Sequence, residues 1–387
     1  SKELHARIQN LARKYFTEMD QGSRDLSMTF NKQETTKPWT PNALSTLIIV
    51  LGDVFEALRE LKDTSSKSSG PNVWVAPDAF ERKTTKYWVE DEKLPELLFT
   101  CVGEVPLLVY GTSGRLSENI QIEVGTTIPM DTLWGNFSTK ITSVYFDSPG
   151  SYLYRERLAR REGAQLLRAR WYGKRPTSEE PVFLELKTHH ECGVQAKSVK
   201  ERAIILEKDM CAFLYPTEKW NEDGARQVLL RANPSMNETK LAKVVDLLLR
   251  MHSLVVEHRL RPCIRSTYQR LAFQSSKSNS IRLTLDRDVT VSDEFSCPHD
   301  SWCVKDDNII FSPTDARVIP FAVFEIKLGE GQSSTALDAL MDKAVILDAS
   351  KSSKFLTGAA TFDKNIVKTF PCWAEDPAFT SFFWADD

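Results

Sequence analysis

QLLRARWY (Gln165–Tyr172) alternates two kinds of side chain with a period of two residues. A β-strand sends residues i and i+2 to the same face. Arg168 and Arg170 therefore point one way, while Leu167, Ala169 and Trp171 point the other. The same texture recurs at Val182–His189, where Phe183, Glu185, Lys187 and His189 share a face, and at Lys197–Leu206, with Ser198, Lys200 and Arg202 together. Ile264–Phe273 aligns Ser266, Tyr268 and Arg270; Phe80–Val89 aligns Arg82, Thr84 and Lys86. Ser280–Val291 aligns Arg282, Thr284 and Asp286, and Phe321–Leu328 sets Glu325 and Lys327 opposite Ala322, Phe324, Ile326 and Leu328. With Ile141–Phe146, these segments are rich in the β-branched and aromatic residues that suit strands.

Helical spacing fills the intervals. Leu241, Val244, Val245, Leu248 and Val255 place a helix over Glu238–Leu260, and shorter helices are predicted at Lys93–Cys101, within Asp147–Arg160, at Glu207–Leu214 and at Ser333–Asp348. Leu4, Ile8, Leu11 and Tyr15 predict another over residues 2–18. Thr40 and Pro41 start a further helix, with Leu44, Leu47, Ile48, Leu51, Phe55 and Leu58 as its stripe. The polar stretch Gln21–Lys37 reads as a linker, TSSKSSGP (Thr64–Pro71) as a joint, and a domain boundary falls near Val73–Pro77. Strands without regular βα alternation point to an α+β fold: an antiparallel β-barrel tunnel with helices packed outside, preceded by an N-terminal helical segment.

The 387 residues carry a formal net charge of −3, with 41% hydrophobic and 27% charged residues. That balance excludes a general nucleic-acid coat and requires any anion site to arise by local sorting of charge. Seven cysteines, at no regular spacing and without CxxC, read as reduced thiols of a cytosol-facing protein. No apolar run reaches the roughly 18–20 residues that span a bilayer. Neither GxxxxGK[ST] nor GxGxxG occurs, so a nucleotide would be gripped by side chains rather than by a backbone cradle.

Two readings of the polar strand faces compete. One strand alone is most simply the solvated face of a half-exposed antiparallel sheet. Taken together the faces favour Arg and Lys well beyond the even overall balance, and their reverse sides are apolar enough to be covered by helices. Enclosed like charges repel strongly at low effective dielectric, so such a lining is retained where a polyanion neutralises it.

FERKTTKYWV (Phe80–Val89), VYFDS (Val144–Ser148), EGAQLLRARWYG (Glu162–Gly173), LELKTH (Leu184–His189), KSVKER (Lys197–Arg202), RPCIRSTYQRLAFQ (Arg261–Gln274), IRLTLD (Ile281–Asp286), FAVFEIKL (Phe321–Leu328) and KSSKFLTG (Lys351–Gly358) occur in that order. Together they resemble the catalytic domain of the vacuolar transporter chaperone complex, the eukaryotic polyphosphate polymerase of the triphosphate tunnel superfamily. The resemblance implies a tunnel domain over 76–375, a helical region over 1–75 downstream of a phosphate-sensing SPX domain, and a tail over 376–387. It implies a catalytic set of Lys86, Arg168, Arg170, Lys187, Lys200, Arg270 and Arg282. Arg82, Lys197, Lys327, Lys351 and Lys354 would bind substrate, and Glu325 would hold a divalent metal, manganese or alternatively magnesium.

The expected activity moves the γ-phosphoryl group of ATP onto inorganic polyphosphate and releases ADP. A metal-dependent triphosphatase acting on inorganic triphosphate or RNA 5′ ends, and a non-catalytic polyphosphate-binding subunit, are the alternatives. The implied setting is the cytosolic face of the vacuole or acidocalcisome membrane. There the chain would work beside other subunits of the complex, without nucleic acid, touching the membrane only through other regions or partners. Phosphoryl transfer asks for positioning and neutralisation of charge; arginine forks and lysine point charges supply both. Glu185 is open between a second metal ligand and an ion-pair partner. Asp286 is expected to orient Arg282, His189 and His190 to be solvent-facing or structural, and Trp88, Trp134 and Trp171 to lie in the core.

Overall fold

The computed structural model describes residues 45, 48–54, 82–108, 129–190, 199–218, 220–274, 281–295, 297–298, 301–303, 316–329, 347–349, 352–362 and 368–384. The expected helix at 2–18, the linker, the joint, the boundary near 73–77, most of the helix at 333–348, Lys197, Lys351 and the side chain of Arg82 lie outside them.

The chain forms ten strands among the described residues: β1 (Arg82–Val89), β2 (Thr139–Asp147), β3 (Gln165–Tyr172), β4 (Pro181–Thr188), β5 (Val199–Leu206), β6 (Arg261–Gln274), β7 (Ile281–Asp293), β8 (Ala316–Val318), β9 (Ala322–Gly329) and β10 (Leu347–Asp348). Helices α1 (Leu94–Glu104), α2 (Met130–Phe137), α3 (Tyr152–Leu158), α4 (Met210–Leu214), α5 (Glu222–Ala232), α6 (Glu238–His258), α7 (Lys354–Phe362) and α8 (Pro377–Trp384) accompany them. Strand order is β10-β1-β9-β7-β6-β2-β3-β4-β5, with β8 on β7. This is the α+β class read from the sequence, and every registered strand pair is antiparallel. The ladder has two ends, β10 and β5, so among the described residues the hydrogen bonds do not close into a ring.

Two compact units divide the chain. The first comprises Ser1–Ser138, Arg270–Asp286 and Phe321–Ser350; the second comprises Thr139–Gln269, Arg287–Pro320 and Lys351–Asp387. In the first unit, the apolar faces of β1, β7 and β9 contribute Val89, Leu283, Leu285, Phe324 and Ile326 to a core closed by Leu94, Leu97, Leu98 and Val102 of α1. Leu133, Trp134 and Phe137 of α2 complete it, with Ile48 and Ile49 from the helical residues 48–54. Pro95 stands in the first turn of α1, where its missing N–H has no partner to lose.

In the second unit, Leu167, Ala169, Leu184, Leu186, Ala203 and Ile205 make the buried apolar faces of β3, β4 and β5. Helices α5 and α6 pack on β5 and on each other. Each starts with an asparagine cap: Asn221 accepts from Gly224 N–H at 2.8 Å and Asn237 from Lys240 N–H at 2.9 Å. Buried His252 of α6 lies within hydrogen-bond distance of Trp220 N and Phe213 O, 3.2 Å from each, so its ring serves the fold. Segment 376–387, read from the sequence as a tail, contains α8, whose Phe379, Phe382 and Phe383 are buried.

Candidate functional site

Register builds the second unit's polar face row by row. Tyr145 on β2 stands opposite Arg168 on β3, Arg168 opposite Glu185 on β4, and Glu185 opposite Arg202 on β5. In the next row Ser143 faces Arg170 and Arg170 faces Phe183, while Lys187 faces Lys200 on the other side. Cross-strand neighbours lie about 4.5–5.5 Å apart at Cβ, so every cation here meets the others' fields.

Glu185 is the hub. Its Oε2 accepts from Arg168 Nε at 2.8 Å and Nη2 at 2.6 Å, with Arg170 Nη1 3.8 Å away. Its Oε1 takes Lys200 Nζ at 2.6 Å and Arg202 Nη2 at 2.5 Å. Burial alone would raise the pKa of this carboxyl, yet Arg168, Arg170, Lys200 and Arg202 outweigh it and hold the group far below the usual carboxylate range. Of the two readings open for Glu185, these contacts are those of an ion-pair partner, with four cations within 4 Å.

Two phenols continue the face. Arg168 Nη1 donates to Tyr145 Oη at 3.2 Å, and Arg170 donates from Nη2 to Tyr268 Oη at 3.0 Å and from Nε to Ser143 Oγ at 3.0 Å. Burial by itself would raise the Tyr145 pKa, but the charges of Arg168, Arg170 and Lys354 prevail and lower it. Lys200 is pulled down to about 7, by loss of water first and by repulsion from Arg168 and Arg202, against the attraction of Glu185.

Lys354 arrives from a helix. Its Nζ sits 4.5 Å above the Tyr268 ring, a cation–π distance. Phe355 packs 5.4 Å from Tyr145, and Gly358 approaches Ile264 so closely that an added Cβ would stand 2.5 Å from Ile264 Cγ2. By strand parity Ile264 shares a face with Tyr268, so α7 lies on the cationic side, whereas the sequence suggested helices on the apolar side only.

The first unit carries a polar face of its own. Lys86 on β1 faces Glu325 on β9, which faces Thr284 on β7; beside that row Thr84 faces Lys327, which faces Arg282. Lys327 Nζ donates to Glu325 Oε2 at 3.1 Å. Arg270 makes a fork on Asp286, Nε to Oδ1 at 2.5 Å and Nη2 to Oδ2 at 2.8 Å. This corrects the expected link between Asp286 and Arg282: the bidentate carboxylate goes to Arg270. Directly opposed cations such as Arg282 and Lys327 are unfavourable in a sheet unless an anion bridges them.

Glu325 was expected to hold a divalent ion. Its carboxylate is partly open, and the Thr284 hydroxyl opposite is buried with no hydrogen-bond partner. Among the described residues no group of three His, Cys, Asp or Glu could form a cage. One carboxylate beside an unsatisfied hydroxyl fits a hard ion that takes its remaining oxygens from phosphates, as magnesium-type sites commonly do.

The second unit thus brings together Arg168, Arg170, Lys187, Lys200 and Lys354, and the first brings together Lys86, Arg282, Glu325 and Lys327, with Arg270 held on Asp286. Sequence reasoning placed Arg202 and Tyr268 on polar faces without assigning them to the site, and passed over Tyr145 and Ser143. The signal was available for the last two, because SVYFD (Ser143–Asp147) also alternates. Trp88, Trp134 and Trp171 are buried, as expected of core residues. His190 pairs with Glu162 at 2.6 Å.

The chain is 27% identical over 348 residues to vacuolar transporter chaperone complex subunit 4 of Trypanosoma brucei brucei, covering 86% of this chain and 41% of that protein. Against subunit 4 of Trypanosoma cruzi the identity is 30% over 323 residues, covering 79% and 38%. Subunit 2 of Schizosaccharomyces pombe is 24% identical over 353 residues, covering 84% and 45%. The chain therefore spans less than half the length of these relatives. A solved structure of the PH1819 protein from Pyrococcus horikoshii OT3 aligns with 68% of this chain and 88% of its own, at 9% identity and a TM-score of 0.26, too low to argue from. The family profile described as the VTC domain matches residues 81–363, which include all ten described strands, and the chain belongs to that family.

Proposed function

We propose that this chain is a polyphosphate polymerase, transferring the γ-phosphoryl group of ATP to the end of an inorganic polyphosphate chain inside the tunnel that the family resemblance implies. The observation that carries this reading is the excess of cations on the polar face of β3, β4 and β5, where Arg168, Arg170, Lys200 and Arg202 surround the single carboxylate of Glu185. A face so over-supplied with positive charge suits a ligand of several adjacent negative charges, and guanidinium forks suit phosphate oxygens.

In the proposed step a terminal oxygen of the polyphosphate attacks the γ-phosphorus while the bond to the β,γ-bridging oxygen breaks and ADP leaves. The attacking oxygen is already anionic near neutral pH, so no general base is required. Arg168, Arg170, Lys187 and Lys200 would hold and align phosphates, and Lys86, Arg270 and Arg282 would neutralise charge. Lys327 and Lys354 would steady the chain. Glu325 with Thr284 would hold a divalent ion, manganese or magnesium; bound there, it would supply further neutralisation of phosphate charge.

The reading includes partner subunits at the cytosolic face of a vacuole or acidocalcisome membrane. Its support is the subunit names of the relatives; no described helix is long and apolar enough to cross a membrane. Incubation with ATP and manganese tests the activity. Long acid-labile phosphate polymer with stoichiometric ADP is expected, and Arg270→Ala or Glu325→Gln should lower its rate about 30- to 150-fold with the fold retained, on the scale of one lost transition-state contact (about 2–3 kcal/mol). Release of inorganic phosphate alone would favour the triphosphatase, and binding of polyphosphate without consumption of ATP would leave only a binding subunit.

A further inference from the structure

The two oxygens of Glu185 carry different partners, and the difference has a use if the face binds phosphate, the reading on which this inference rests. Oε2 is locked: it meets Arg168, and both Arg168 and the nearby Arg170 are buried, with side chains 8% and 6% exposed. Oε1 meets Lys200 and Arg202, whose side chains are 40% and 39% exposed. One half of the cluster is therefore fixed in the protein and the other half stands at its edge, able to change partner. Arg202 also lies 4.9 Å over the Phe183 ring and donates to Tyr172 Oη at 3.3 Å, contacts that keep its guanidinium close to the face.

We propose that Glu185 is a resident counter-anion: it holds Lys200 and Arg202 while the face is empty and yields both to a phosphate group of an incoming polyanion, with Arg168 remaining on the carboxylate. Arg202 is then a phosphate ligand in its own right, and Glu185 is a positioning residue that competes with the substrate. Exchanging one anion for another keeps the cations neutralised at every stage, which avoids the cost of exposing bare like charges to each other. The same competition weakens the grip on each phosphate and lets a polymer slide.

Inorganic tripolyphosphate titrated into the whole chain, without metal and at fixed ionic strength, tests the exchange. Arg202→Gln should weaken binding about tenfold, the scale of one charge-assisted contact. Glu185→Gln should tighten it by a similar factor, and saturating tripolyphosphate should raise its melting temperature by more than it raises that of the unaltered chain. A residue that only supports packing would lower the melting temperature with no gain in affinity. Affinity unchanged in Arg202→Gln, or no tighter in Glu185→Gln, overturns the proposal. If Glu185→Gln does not fold, Glu185→Asp replaces it, since drawing the charge back by one methylene should also tighten binding, and unchanged or weaker binding overturns the proposal equally. Failure of the unaltered chain to bind tripolyphosphate would instead overturn the phosphate reading of the face, and it is visible before any variant is made.

Discussion

Lys200 lies between one carboxylate and two guanidinium groups, and those neighbours set how its charge responds to pH. Its pKa falls from 10.5 to about 7 in the folded chain, withdrawal from water being the largest cause. Between those values the unfolded chain binds the extra proton, so folding stability from this group rises as pH increases from about 7 towards 10.5 and is flat below that window. Melting temperatures recorded from pH 7 to 9.5 should climb less steeply in Lys200→Met than in the unaltered chain; parallel curves would refute the shift. A second buried pair separates fold from function. Arg265 and Glu294 are ion-paired with side chains 4% and 0% exposed, so Arg265→Leu strands a carboxylate and should cost about 3–5 kcal/mol in urea unfolding. At this scale the sequence was informative where alternation put Arg168 and Arg170 on one face. It was silent about Arg265, because nothing in a single sequence says that Glu294 lies beside it.

Helix α7 shows what the sequence left unread among the elements. KFLTGAATF has no acidic residue to mark its first turn and a glycine at its centre, a composition that argues against a helix interior. The glycine is there for contact. A Cβ at 358 would stand 2.5 Å from Ile264 Cγ2 and 3.4 Å from Val291 Cβ, so Gly358→Ala should lower stability by about 1–3 kcal/mol. It should also lift Lys354 off the Tyr268 ring and weaken tripolyphosphate binding, which calorimetry would detect. Helix α5 was missed for a related reason: Gly224 near its start reads as a breaker, although Asn221 caps that end. Helix α3 is short and leans on Asp147, whose carboxylate accepts from the N–H groups of Ser148, Leu153 and Tyr154 at 2.7, 2.8 and 2.9 Å. Asp147→Ala should cost about 1–2 kcal/mol in thermal or urea unfolding. Eight of the ten strands, by contrast, were legible to within about three residues, and β3 spans Gln165–Tyr172 as the alternation indicates; β8 was not read, and β10 falls at the end of the helix expected over Ser333–Asp348.

Across the molecule, β6 and β7 each run from one unit into the other. The antiparallel α+β class was readable because strand texture is local. Strand order was not, because pairing between distant segments leaves no mark in either segment alone: β1 lies beside β9, with Lys86 opposite Glu325. That pairing joins residues separated by well over half the chain. On a ribosome adding about 5–20 residues per second, β1 would emerge tens of seconds before its partner exists. Throughout that interval the nascent β1 has no native strand beside it, and this edge of the sheet can be completed only once Ala322–Gly329 has left the ribosome.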